Sequence, residues 1–149
     1  MRGRIFIGSM LVAFIALLAL APAAAATPPR PISITVDTSF EPGAVDPFSS
    51  TGGVVCAAGS VSTPVTRFVG FQSDTHAQIL IVKHFVCADG SFDLLLRVRL
   101  DFATTDTVGT WSVLDGTGAY AKLHGSGTLT GDGMGESVLD VYTGTMHID

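Results

Sequence analysis

Four charged side chains, Asp93, Arg97, Arg99 and Asp101, fall at alternate positions of one segment. On an extended strand such residues share a face at intervals of about 7 Å. Two chemistries fit them. The face is a solvated exterior with cross-strand ion pairs, or the strand is inverted and Arg97 or Arg99 orients an anionic or phenolic ligand inside the fold. The reading favours the exterior, because the opposite face is apolar and a small β-domain turns that face inward. Four histidines, His76, His84, His124 and His147, show no H-x-x-x-H or H-E-x-x-H spacing, so no metal site is expected and each reads as a half-exposed polar residue. Ser62, Ser112 and Ser126 lack a nucleophile elbow: G-S-G at 125–127 is not G-x-S-x-G. Trp111, Tyr120 and Tyr142 could line a pocket with a polar handle at its wall, although aromatic residues more often simply fill a core. No cofactor motif is present, and no catalytic residue is assigned.

These side chains must be held by strands. Phe92–Phe102 places Phe92, Leu94, Leu96, Val98, Leu100 and Phe102 at every second position, so one face is committed to a core. It pairs through Asp89-Gly90, a strong hairpin signal, with the β-branched run Gln78–Cys87. Further strands are expected at Ile32–Val36, Val54–Cys56, Thr66–Phe71, Val108–Leu114, Gly125–Thr130 and Val138–Ile148. Loops are expected at Phe40–Pro47 and at the glycine-rich turns Asp115–Gly118 and Gly131–Gly135. Gly59 and Pro64 are read as breakers. With no amphipathic helix of ten residues after the leader, the pattern is antiparallel all-β, a sandwich or a barrel.

The chain has 149 residues. Arg2 and Arg4 precede an apolar run, Ile5–Leu20, and then Ala21-Pro22 and four alanines. This reads as a Sec-type signal peptide over 1–26, cleaved before Thr27, in preference to an uncleaved anchor. The remaining 27–149 form one domain. Of 8 basic and 13 acidic residues, the leader takes two basic ones, leaving 6 − 13 = −7. Such an acidic chain has no footprint for nucleic acid or an anionic membrane. Cys56 and Cys87 both follow the leader, and in an oxidising compartment they are expected to form a disulfide.

Glycines 116, 118, 125 and 127 sit where strands should bend or approach closely. With Trp111 and Tyr120 they make up W-S-V-x-x-G-T-G-A-Y-A-x-L-x-G-S-G, followed by Y-T-G at 142–144. This segment resembles the closing half of the allene oxide cyclase and dirigent-type β-barrels, and most of all small secreted bacterial proteins described as allene-oxide-cyclase-barrel-like. The resemblance covers Gly109–Gly144. It implies a single antiparallel β-barrel of about eight strands with a hydrophobic lumen, and leaves self-association open. It supplies no catalytic residue, because the matching motif is a corner and not the lumen. Three functions are therefore expected in order. The first is a secreted barrel holding an apolar or phenolic ligand, with Arg97, Arg99, Trp111, Tyr120 and Tyr142 as candidate contacts. The second is an isomerase or cyclase of the allene oxide cyclase type. The third is a structural or cell-surface barrel filled by its own side chains.

Overall fold

A computed structural model describes residues 27–149; the expected signal peptide, 1–26, lies outside the described residues. Eight antiparallel strands follow one another: β1 (Arg30–Ser39), β2 (Val45–Thr51), β3 (Ala58–Ser73), β4 (His76–Cys87), β5 (Gly90–Asp101), β6 (Thr107–Gly118), β7 (Leu123–Gly133) and β8 (Ser137–Ile148). Each pairs with its neighbour in sequence, and β1 pairs with β8 from Arg30↔Met146 to Ser39↔Ser137, which closes the barrel. The described residues contain no helix long and apolar enough to cross a membrane.

The period of two in β5 has the expected sidedness. Phe92, Leu94, Leu96 and Val98 are buried, whereas Arg97 and Arg99 are exposed. The charged row thus lies on the outer wall, and the inverted arrangement of that strand is set aside. Asp93 meets His84 across the strands at 2.6 Å, and Asp101 meets His76 at 3.3 Å, both partly exposed.

Several boundaries differ from the sequence expectation. Val54–Cys56 is the bend between β2 and β3 rather than a strand. Asp46-Pro47, expected in a loop, belongs to β2. Its proline is tolerated because the β1–β2 ladder ends at Val36↔Phe48, so no amide hydrogen is needed at Pro47 on that side. Pro64 does not break β3. The β3–β4 register slips between Ser62 and Val65, so Thr63 and Pro64 together oppose Lys83. A β-bulge of this kind leaves the extra residue unpaired and changes which residues face inward. Alternation therefore fails across β3, and only Thr66–Phe71 was recognisable as strand. Asp115–Gly118 and Gly131–Gly133 extend β6 and β7 rather than turning. The corner after β6 falls at Ala119–Lys122, entered through Gly118 in the left-handed region at φ 58°.

One half of the interior is solid. Phe85 stacks on Phe92 at 4.9 Å and meets Phe48 edge-on at 5.1 Å, while Phe92 meets Tyr120 at 5.5 Å. The Cys56–Cys87 disulfide ties the β2–β3 connection to the end of β4 at this same end. The Tyr120 hydroxyl donates to Asp89 Oδ1 at 2.8 Å and accepts from the Cys56 amide at 3.1 Å. Trp111 is buried against β7 and β8. A Cβ at Gly144 would stand 2.7 Å from its indole, and its Nε1 donates to the Thr128 carbonyl at 3.0 Å.

Candidate functional site

The other half of the barrel is hollow. A cavity of about 340 Å³ opens at the end where β1 joins β2. Ile79, Ile81, Leu96, Val98, Leu129 and Val138 form its apolar walls, and Ser39 with residues 40–44 of the β1–β2 loop lies along its mouth. The volume falls within the lower part of the range for small-molecule sites.

Its polar floor comes from four strands. Lys83 of β4 is 2% exposed and Asp140 of β8 is 6% exposed. Lys83 Nζ donates to Thr38 Oγ1 at 2.8 Å, and Thr38 Oγ1 donates to Asp140 Oδ2 at 2.7 Å. The charges themselves are 3.8 Å apart. Thr38 of β1 thus bridges ammonium and carboxylate, and Tyr142 adds a long hydrogen bond from its hydroxyl to the same Oδ2 at 3.4 Å. Thr107 of β6 places its buried Oγ1 beside the Asp140 carboxylate. The pair nevertheless lacks hydrogen-bond geometry, so this buried hydroxyl has no hydrogen-bond partner among the described residues.

Burial governs the titration of the floor. It pushes the Asp140 carboxyl above the usual carboxylate range, against the opposing pull of Lys83 and of the Thr38 hydrogen bond. Burial likewise lowers Lys83, while Asp140 and Asp46 act to raise it. Burial, then the Asp140 charge, holds the Tyr142 phenol well above its ordinary value. The floor can therefore hold and pass a proton along Lys83–Thr38–Asp140.

Of the five candidate ligand contacts named from the sequence, none lines this cavity, whereas Leu96, Val98 and Leu100 of the expected apolar row do. Arg97 and Arg99 are outside. Trp111, Tyr120 and Tyr142 belong to the packed half, and only Tyr142 reaches the floor, through its hydroxyl. Lys83, Asp140, Thr38 and Thr107 were missed. The signal for two of them was present: Lys83 shares its parity with Ile79, Ile81 and Phe85, and Asp140 shares its parity with Val138 and Tyr142. A charge on an apolar row is expensive to bury and needs a reason. Among the described residues no group of three or more histidine, cysteine, aspartate or glutamate side chains is placed to hold a metal ion. His124 and His147 instead stack at 5.3 Å beside Asp149.

Comparison with protein families, curated proteins and solved structures gave no match.

Proposed function

We propose that the protein is an exported barrel that holds a small apolar or phenolic ligand in its half-hollow interior. One observation carries the reading: the barrel is plugged by aromatic residues at one end and open at the other, onto apolar walls above a buried polar floor. The disulfide and the leader-like N-terminal sequence support export. The Gly109–Gly144 resemblance to allene oxide cyclase and dirigent-type barrels supports the same kind of lumen.

Charge narrows the ligand. One ammonium, Lys83, is set against the carboxylates of Asp140 and Asp46, with Glu41 at the mouth. A carboxylate ligand would add a further buried negative charge, so a neutral polar head such as a hydroxyl or phenol fits better. A solvatochromic apolar probe should bind, and small apolar alcohols or phenols should displace it. Ile81→Trp, which narrows the cavity, should reduce probe affinity by about tenfold or more while the barrel stays folded. Failure of the probe to bind the folded wild-type protein would end the reading.

A second reading is turnover, as an isomerase or cyclase of the allene oxide cyclase type. Asp140 favours it: a carboxyl at the floor, raised by burial and coupled to Lys83, is suited to acid–base work on a bound intermediate. Rearrangement of an unsaturated epoxide by the wild-type protein and its loss in Asp140→Asn would separate turnover from binding.

A further inference from the structure

We propose that Lys83 captures its ligand covalently: its Nζ condenses with the carbonyl carbon of an apolar aldehyde seated in the cavity, giving an imine. This rests on the ligand-binding reading and names a chemical class within it. Three observations bear on the step. Lys83 lines the cavity and is almost wholly buried, so its amine lies at the cavity floor, shielded from bulk water. A proton path leads away from it, from Nζ to Thr38 Oγ1 at 2.8 Å and from that hydroxyl to Asp140 Oδ2 at 2.7 Å. Finally, Thr107 lines the same cavity, and its buried hydroxyl, which lies beside Asp140 with no well-formed hydrogen bond among the described residues, can turn to donate to a carbonyl oxygen. A nucleophile, a base reached through a relay and an electrophilic donor thus face one space.

The step balances without any oxidant. The ammonium passes one proton through Thr38 to the Asp140 carboxylate, leaving a neutral amine. Its lone pair forms the C–N bond while the carbonyl π pair moves to oxygen, with Thr107 donating to that oxygen. The second nitrogen proton moves to the same oxygen, giving the carbinolamine. The C–O bond then breaks and the oxygen departs as water with the last nitrogen proton, leaving C=N. Three protons leave nitrogen: two end in water and one on Asp140. Burial of both charges in the resting pair favours this neutral outcome.

The chain carries two lysines, Lys83 and the exposed Lys122, so the protein contains its own control. The disulfide-intact chain would be incubated with cinnamaldehyde at neutral pH, trapped with cyanoborohydride, and its peptides weighed. The expected result is a reduced adduct on Lys83 formed roughly tenfold faster than on Lys122. Cinnamyl alcohol, which can occupy the cavity but cannot condense, should suppress labelling of Lys83 and leave Lys122 unaffected. Displacement of the apolar probe is read in parallel. If cinnamaldehyde displaces the probe but Lys83 gains no more adduct than Lys122, the imine is overturned and the binding reading stands. Labelling of Lys83 that cinnamyl alcohol does not suppress overturns it as well. If neither compound displaces the probe and Lys83 is not labelled, the imine falls together with the reading beneath it.

Discussion

Lys83 and Asp140 are charges that the fold takes out of water, and their titration should be visible in stability. Asp140 is raised above its ordinary value of 3.8, so between that value and the native one the folded state holds a proton that the unfolded chain has released. The stabilisation from this group is complete below the unfolded value and is lost as pH rises through the native one. Lys83 is lowered from 10.5, so its contribution is present above that value and lost as pH falls through the native one. Both terms leave the pair least favourable near neutrality. Asp140→Asn cannot ionise. Its melting temperature relative to wild type should therefore rise between about pH 4 and about pH 7, in thermal unfolding followed at both values. A constant offset between the two proteins would contradict this. At the opposite end, Tyr120→Phe leaves the Cys56 amide and Asp89 without their shared partner. Denaturant titration should show a loss of about 1–3 kcal/mol.

At the scale of elements, the glycines of β7 and β8 let two backbones approach and seat an indole. A Cβ at Gly127 would lie 2.0 Å from the Thr143 carbonyl oxygen and 2.7 Å from the Gly144 Cα, both backbone atoms that cannot swing aside. Gly127→Ala should therefore destabilise by about 1–3 kcal/mol or more. Gly70→Ala, with no atom within 4 Å of the added carbon, should stay within roughly 0.5 kcal/mol of wild type in the same assay. These glycines were legible in the sequence, since small residues in a β-rich run already ask for close approach. The β3 bulge was not. Pro64 reads as a breaker when only neighbours along the chain are considered. Its tolerance depends on β4 presenting one residue, Lys83, against two, and that is a property of pairing. The same slip brings Thr66 to the cavity wall beside Thr63. What the local pattern loses as a strand it gains as a polar lining.

Over the whole molecule, the all-β class, the long hairpin and the disulfide were readable because each rests on short-range signals. The period of two, Asp-Gly turns and two cysteines behind an export-like leader are of this kind. The polar floor was not readable as a site, because Thr38, Lys83, Thr107 and Asp140 come from β1, β4, β6 and β8 and meet only when the barrel closes. The stitching of the molecule is equally uneven. The disulfide spans 31 residues at the plugged end. Reducing it should cost about 3–4 kcal/mol in the chain-entropy view, measured as a shift of the denaturation midpoint with and without reductant. Because the crosslink lies away from the cavity, probe binding under native conditions should survive that reduction.

The chain holds a single tryptophan, and it lies in the solid part of the barrel, absent from the cavity wall. Its emission will report whether the sheet is intact, and it touches the open end only through Leu96, its cross-strand neighbour on the cavity wall. A guest in the cavity would therefore reach the indole at second hand, by pressing on Leu96, and would change its emission less than loss of the sheet does.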